Sequence, residues 1–322
     1  MYYIGVDLGG TNIAIGIVNE KYEIVRKGRT PTKANREADL IIADMAALTK
    51  KLIKEEGITL ADVASVGIAT PGTANSATGV VEYANNLPFL NYPLADTLST
   101  MLGGGVKVYI ENDANAAAKA EAIAGVAAGA PSSIMITLGT GLGGGIVING
   151  KIYSGFNFAG AELGHTVIEE NGRPCSCGRR GCWEAYSSAT GLSNITRDRI
   201  TEARAAGIHT NMDDMLGGDL AKASARTAFA AMKAGDEVAA GVVREYIDYL
   251  ACGIVNIINI FHPNVLSIGG GVCGEGEYLT KPLIEKVLSL TDKKSEEELG
   301  TKILTAQLGN DAGIIGAAVL GV

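Results

Sequence analysis

The stretch YYIGVDLGGTNIAIGIV, residues 2–18, determines how the rest of this sequence is interpreted. Tyr2–Asp7 is a β-rich run that ends before Gly9-Gly10, and Ile13–Val18 continues with strand-like composition. Two such runs around a glycine turn predict a β-hairpin. Asp7 ends the first run, where a carboxylate could hold a metal ion or simply cap the turn.

A second strand–turn–strand unit occurs later in the chain. Ser133–Leu138 is a strand-like run, Gly139–Gly145 is rich in glycine, and Gly145–Ile148 is again strand-like. The repeat predicts an internally duplicated α/β fold with a cleft between two related domains. Both turns could present bare backbone amides, with the hydroxyls of Thr11 and Thr140, to phosphate oxygens, or they could be ordinary hairpin turns.

The second turn also matches the dinucleotide pattern G-x-G-x-x-G at residues 139–144. That fingerprint requires the turn to open a helix, whereas the residues after this turn are β-branched and turn-forming. The pattern therefore does not indicate a Rossmann site.

A polar cluster, Glu111-Asn112-Asp113-Ala114-Asn115, stands between a strand-like run and an Ala-rich helix predicted over residues 112–128. Asn and Asp are common N-cap residues, which accounts for one of these side chains. Three successive polar residues exceed what a cap needs, and α/β folds bind ligands at such junctions. Because phosphoryl transfer to a hydroxyl requires a carboxylate that accepts its proton, Asp113 is a candidate base and Asn112 a candidate sugar contact.

Four potential metal ligands lie close together in the sequence: His165, Cys175, Cys177 and Cys182. One imidazole and three thiolates complete a tetrahedral set that suits Zn²⁺, with no open position for water, so the spacing predicts a structural site. The alternative is a group of buried free thiols. Glu162 and Glu184 flank the set, where they could accept hydrogen bonds from sugar hydroxyls or be solvated surface charges.

Composition excludes several classes of protein. The formal net charge is −8 over 322 residues, which disfavours sequence-independent binding to nucleic acid. The N-terminus lacks the features of a signal peptide, and no apolar run approaches the roughly 18 residues of a membrane span. Five cysteines, three of them within eight residues, favour metal binding in a reducing compartment, so we expect a cytoplasmic protein without membrane contact.

The chain resembles the ROK family of sugar kinases, repressors and related proteins, in order along nearly its whole length. The stretches that carry the resemblance are residues 7–12, 111–115, 139–145 and 162–165 and the cysteine knuckle, residues 175–182. Within the family the chain is most similar to the bacterial glucokinases. The resemblance implies an actin-like ATPase (ribonuclease H-like) fold, ATP with Mg²⁺, a homodimer, and phosphorylation of a hexose, glucose first, at its 6-hydroxyl.

The same resemblance assigns the site residues. Asp113 would be the general base, and the sugar contacts would be Asn86, Asn112, Asp113, Glu162, His165 and Glu184. The nucleotide would be bound by Asp7, Gly9, Gly10, Thr11, Asn12, Gly139, Thr140, Gly141, Gly269, Gly270 and Gly271. In this chain Phe89 stands where the family often has Trp, and Asn85 remains an alternative to Asn86.

The expected domains are residues 1–113 with 306–322, closed by the C-terminal helix, and residues 114–305, which carry the zinc knuckle. Two other functions remain open. A sugar-responsive repressor of this family would carry an added N-terminal helix-turn-helix, which we do not expect because the first strand begins at Tyr2. A non-catalytic sugar-binding protein would not need Asp113, and among kinases N-acetylmannosamine, fructose or allose are alternatives to glucose.

Overall fold

The computed structural model describes all residues from 1 to 322. The chain forms two compact units. The first consists of Met1–Met135, Gly145–Ala161 and Gln307–Val322, and the second of Ile136–Gly144 and Glu162–Ala306. The predicted division at residues 113 and 306 stays a prediction.

Residues 1–124 form eight strands and three α-helices. In chain order they are β1 (Tyr2–Leu8), β2 (Asn12–Val18), β3 (Ile24–Pro31), α1 (Ala38–Glu56), β4 (Val63–Thr70), β5 (Thr73–Asn75), β6 (Val80–Tyr83), β7 (Leu90–Tyr92), α2 (Leu94–Leu102), β8 (Lys107–Asn112) and α3 (Asp113–Ala124).

The remaining elements begin with a second hairpin and continue into a mainly helical region. They are β9 (Ser132–Leu138), β10 (Leu142–Ile148), β11 (Lys151–Ile152), α4 (Glu184–Ser187), α5 (Ala189–Ala205), α6 (Asn211–Leu216), α7 (Ala225–Lys233), α8 (Glu237–Phe261), β12 (Val265–Gly269), α9 (Glu277–Thr291), α10 (Glu296–Leu299), β13 (Lys302–Thr305) and α11 (Ala312–Ala318).

Two five-stranded sheets have the same strand order, which confirms the predicted duplication. The first is β3-β2-β1-β4-β8 and the second is β11-β10-β9-β12-β13, with a separate three-stranded sheet β5-β6-β7. In the first sheet β1 and β2 form the predicted hairpin, with Asp7 opposite Ala14, and β4 and β8 run parallel to β1. Parallel β12 and β13 repeat this pattern in the second sheet.

A row of three glycines crosses the first sheet. Gly5 in β1 pairs in register with Gly16 in β2 and with Gly67 in β4. A side chain at Gly5 would overlap the carbonyl of Ile314, and one at Gly67 would overlap the carbonyl of Ala317. The C-terminal helix α11 therefore packs with its backbone directly on the sheet, which only glycine permits at these positions.

Helix α3 packs against α11 just as closely. A side chain at Gly316 would overlap the carbonyl of Ala116, and Ala120 of α3 packs with Ala312 and Ile315. This close packing leaves room only for small side chains on α3, which explains its Ala-rich sequence. The helix is shorter than predicted, because Gly125 is extended, with φ −113° and ψ −151°, and ends it at Ala124.

The other face of the first sheet is covered by α1 and α2. Ile4, Val6 and Ile68 of the sheet form one core with Ile41 of α1 and Leu98 of α2. Helix α1 ends at Gly57, whose φ of 76° is the left-handed conformation that glycine adopts most readily. No helix of the protein combines the length and the apolar character needed to cross a lipid bilayer.

Replacement of Gly67 by Ala should destabilise the protein by about 3 kcal/mol, the upper part of the usual range for overpacking, because the new methyl group meets the backbone of α11 rather than a movable side chain. Thermal and urea unfolding would measure the loss. Gly274→Ala is the matched control, since no atom lies within 4 Å of its added methyl group. Equal stability of the two variants would contradict backbone contact between α11 and β4.

Candidate active site and metal centre

The first glycine turn joins β1 to β2. Gly9 donates its N–H to the carbonyl of Asn12 at 3.0 Å, and the buried Thr32 donates its hydroxyl to the carbonyl of Gly9 at 2.6 Å. A side chain at Gly10 would lie 3.4 Å from Cβ of Asn86. The structure thus brings Asn86 to the first turn, and Thr32, which the sequence analysis missed, holds that turn in place.

Asp7 lies at the end of β1 beneath this turn. A Cβ at residue 313 would lie 2.7 Å from Cγ of Asp7, so glycine at that position lets α11 begin against the carboxylate. Burial, and secondarily the negative charge of Asp113, raises the pKa of Asp7 to about 6. Neither carboxylate has a Lys or Arg partner, so the pair would be stabilised by a bound cation.

The side chains of the polar cluster at the start of α3 have different hydrogen-bond partners. Asn112 is the N-cap: its Oδ1 accepts from the amides of Ala114 and Asn115, and its Nδ2 donates to the carbonyl of Gly72 at 3.1 Å. Glu111 is buried and accepts from Nδ2 of Asn115 at 3.0 Å. The cap is therefore Asn112, which leaves the Asp113 carboxylate available for chemistry.

Asp113 remains accessible to solvent, and it accepts one hydrogen bond from the amide of Ala114 at 2.8 Å. Protein atoms around the carboxylate partly displace water from it, and this desolvation raises its pKa. A carboxylate with a raised pKa is a stronger base once ionised. Asp113 therefore has the accessibility and the basicity of a group that accepts a proton.

The second glycine turn is braced by α5 and by Glu184. Gly139 donates its N–H to the carbonyl of Gly141, and Thr140 accepts at its carbonyl from the hydroxyl of Thr190 at 2.7 Å. Gly270, with φ 93°, packs against the backbone of Leu138 at the end of β9. The structure thus places Gly270 of the third glycine-rich segment next to the second turn.

Glu184 links this turn to the cysteine knuckle. Its Oε2 accepts from the amide of Leu142 at 2.9 Å, and a side chain at Gly141 would overlap it. Its Oε1 accepts from the hydroxyl of Ser176 at 3.1 Å and lies 3.8 Å from Sγ of Cys175. Both oxygens therefore already have protein partners, so a sugar hydroxyl would share or replace one of these hydrogen bonds.

The turn that carries Glu162 and His165 packs against Leu142, the residue whose amide donates to Glu184. His165 donates its N–H to the carbonyl of Glu162, and a side chain at Gly164 would overlap the carbonyl of Leu142. Glu162 is exposed at the start of this short 3₁₀ turn. Gly164, between Glu162 and His165, and Glu184 thus both contact Leu142 at the end of the second glycine turn, and the roles of Glu162, His165 and Glu184 as sugar contacts stay predictions.

The four predicted metal ligands, His165, Cys175, Cys177 and Cys182, offer ligand atoms that all lie within 4.8 Å of one another. Nδ1 of His165 lies 3.6 Å from Sγ of Cys175, and Sγ of Cys177 lies 3.6 Å from Sγ of Cys182. Tetrahedral zinc thiolates require S–S separations of about 3.7 Å. The donor set and its spacing therefore fit Zn²⁺ in a closed structural site.

Arg179 and Trp183 make the contacts that surround this set of potential ligands. Hydrogen bonds from the backbone and side chain of Arg179 lower the pKa of Cys177 to about 6, so this thiol ionises readily. Arg179 also donates to the carbonyl of His165 at 2.6 Å. The adjacent Trp183 is fully buried, donates to the carbonyl of Tyr249 at 3.0 Å, and packs where Gly253 has no side chain. These contacts attach the knuckle to α8, and no sequence pattern indicates that Trp183 packs against Gly253.

The duplicated sheets and the turns at their first hairpins define the actin-like ATPase fold. The sequence model of the ROK family matches residues 3–321. The chain is 36% identical over 320 residues to a glucokinase of Halalkalibacterium halodurans, covering 99% of this chain and 94% of that protein. An N-acetyl-D-glucosamine kinase of Aliivibrio salmonicida is 30% identical over 335 residues, covering all of both chains.

A solved structure extends the comparison. The ROK family glucokinase of Streptomyces griseus, in complex with glucose and AMPPNP, is 34% identical, with a TM-score of 0.78 and 99% of each chain covered. Because the family model and these relatives span nearly the whole sequence, the protein belongs to the ROK family.

Removal of a metal ligand should release zinc and loosen the knuckle. We expect about one zinc per chain in the purified protein, and a Cys177→Ser variant that contains much less and unfolds at a lower temperature. Elemental analysis and Trp183 fluorescence would report both effects. Cys252→Ser, outside the cluster, should retain the metal, and a zinc-free wild-type protein would refute the ligand assignment.

Replacement of Asp7 by Asn should raise the melting temperature at pH 7 in the absence of nucleotide and divalent cations. The pKa of Asp7 is raised to about 6 from 3.8, so the folded state binds its proton more tightly, and wild-type stability declines as pH rises from about 4 to 6. Asn removes this decline, and the two proteins should melt alike near pH 4.

Asp62 is the control for this experiment, because its pKa is shifted in the opposite direction from that of Asp7. Hydrogen bonds from Thr59 lower its pKa, so Asp62→Asn should reduce stability at pH 7. Melting curves of both variants from pH 4 to 8 would show the contrast. A melting temperature for Asp7→Asn below that of the wild type at pH 7 would contradict a raised pKa of Asp7 caused by its burial and by the charge of Asp113.

Proposed function

We propose that this protein is an ATP-dependent glucokinase that transfers the γ-phosphoryl group of ATP to the 6-hydroxyl of glucose. Its full-length similarity to glucokinases, one of them solved with glucose and AMPPNP, supports this substrate pair. The observation that carries the proposal is the accessible Asp113 carboxylate, which has a raised pKa, no cationic partner, and Asp7 as its charged neighbour.

In the proposed reaction Asp113 accepts the proton of the 6-hydroxyl as the new oxygen–phosphorus bond forms. The bond between the γ-phosphorus and its bridging oxygen breaks, and ADP leaves with that electron pair. Such a transfer relies on positioning and charge stabilisation more than on covalent chemistry. The glycine turns Gly9–Asn12 and Gly139–Gly141 would present backbone amides to the phosphate oxygens, and Gly269–Gly271 would contact the adenosine.

Mg²⁺ would neutralise the charge of the phosphates, and Asp7 is the residue proposed to hold it, directly or through water. The burial of the Asp7 carboxylate, together with the nearby negative charge of Asp113 and the lack of a Lys or Arg partner, supports such a cation. Zn²⁺ would fix the knuckle between Glu162 and Glu184 without taking part in the chemical step.

The proposed sugar contacts are Asn86, Asn112, Asp113, Glu162, His165 and Glu184. Asn86, rather than Asn85, is supported by its position over Gly10, whereas Asn85 accepts from the hydroxyl of Tyr83 at 3.1 Å. We also propose that the protein is a cytoplasmic homodimer, for which light scattering of the purified protein is the direct measurement.

Another hexose remains the second candidate, because an N-acetyl-D-glucosamine kinase also matches the whole chain. A coupled assay with ATP and Mg²⁺ across glucose, N-acetylglucosamine, N-acetylmannosamine, fructose and allose would rank the substrates by kcat/KM. Phosphorylation of an N-acetyl sugar in preference to glucose would replace the first candidate, and sugar binding without turnover would indicate a regulator.

Asp113→Asn tests the catalytic assignment. Loss of the proton acceptor should reduce kcat by about 10²–10⁴-fold, because this is the usual contribution of general base catalysis. Glucose affinity, measured by Trp183 fluorescence, should change little. Asp96→Asn, on the surface helix α2, is the control that should retain wild-type turnover. Near wild-type kcat for Asp113→Asn would exclude it as the base.

A further inference from the structure

A second carboxylate on α3 has no place in the chemistry described so far. Glu121 lies eight residues after Asp113 on the same helix, and only 1% of its surface is exposed. It has no Lys or Arg partner among the ion pairs of the protein. A buried carboxylate without a cation is costly unless hydrogen bonds occupy its oxygens.

Backbone amides supply those hydrogen bonds. Oε1 of Glu121 accepts from the amides of Gln307 and Leu308, both at 2.8 Å, and Oε2 accepts from the amide of Val126 at 2.9 Å. Successive amides that converge on one oxygen form the kind of nest that binds anions in proteins. Here the anion is a side chain, so the carboxylate binds the chain at residues 307 and 308.

The segment bound in this way leads directly to Asp7. After Leu308 the chain forms the short 3₁₀ turn Gly309–Asp311 and then α11. Gly313, in the first turn of α11, contacts the carboxylate of Asp7, and Gly316 packs on Ala116 of α3. Glu121 thus ties the beginning of this C-terminal segment to the same helix that carries Asp113.

We propose that Glu121 is a positioning residue that sets the placement of Asp7 through the C-terminal segment. This inference rests on the proposed function, in which Asp7 faces the metal-bound phosphates. Loss of the hydrogen bonds at residues 307 and 308 would let α11 and the Asp7 carboxylate shift. Binding of the metal–nucleotide complex should therefore weaken, whereas the sugar contacts of the second unit should be unaffected.

A purely structural role predicts a different outcome, and the chain contains a matched control. Asp236 is also buried, 8% exposed, and one oxygen accepts from the hydroxyl of Thr210 and the amide of Asn211, both at 2.6 Å. Its other oxygen accepts from the amide of Ala239 at 3.0 Å. Asp236 caps α8 in the second unit, with none of the proposed nucleotide or sugar residues among its partners.

The experiment compares Glu121→Gln with Asp236→Asn in the full-length, zinc-loaded protein. The new side chain in each variant keeps one oxygen that accepts hydrogen bonds, but its NH₂ group faces a backbone N–H that has lost its acceptor. Both variants should therefore melt a few degrees lower than the wild type. At a temperature well below both melting points, only Glu121→Gln should raise KM for MgATP, by about tenfold, and glucose affinity should stay within about twofold.

Calorimetric titration with MgATP in the absence of sugar gives a second readout that does not depend on turnover. Wild-type nucleotide affinity in Glu121→Gln, an equal loss in Asp236→Asn, or an equal loss of glucose affinity would each overturn the inference. If Glu121→Gln does not fold, Glu121→Asp, which keeps the charge but shortens its reach, takes its place in the same comparison. A wild-type protein that binds MgATP but phosphorylates no hexose would refute the proposed function instead.

Discussion

The backbone contact between α11 and the first sheet is the constraint on which the described active-site geometry depends. Gly5 and Gly67 leave the surface of the sheet flat where Ile314 and Ala317 approach it. A helix at this distance gains dispersion contacts along its whole length, but any side chain in the row would separate the layers. Because α11 begins against Asp7, the same packing also fixes the carboxylate of Asp7, which is proposed to hold a cation.

The carboxylates of this protein separate into two kinds by their partners. Glu121 and Asp236 are buried, and each accepts three hydrogen bonds that compensate for the loss of water. Asp7 and Asp113 lack such compensation, and their raised pKa values express the remaining cost. Charged groups whose loss of water is not compensated by protein partners are the ones that a bound ligand can stabilise, which is typical of functional sites.

The cysteine knuckle is connected to the second glycine turn through Glu184. Glu184 follows Cys182 by two residues, and its carboxylate spans from Ser176 to the amide of Leu142 in the second glycine turn. A metal bound by the knuckle would therefore also restrain that turn, because a short chain segment joins the two. Sequence spacing predicted a flanking carboxylate, but its direct hydrogen bond to the turn requires two segments 42 residues apart in sequence to meet.

The sequence by itself indicated the local features: the glycine turns, the Asn112 cap beside the candidate base Asp113, and the Cys₃His set of potential ligands, because each lies within at most 18 consecutive residues. The duplicated fold followed from the repeat of strand, glycine turn and strand, now visible as two sheets of equal strand order. Tertiary structure alone decided that Thr32 braces the first turn, that Gly313 meets Asp7, and that Glu121 binds residues 307 and 308. These pairings join segments up to 306 residues apart, and no periodicity or spacing encodes which backbone atoms a buried side chain will meet.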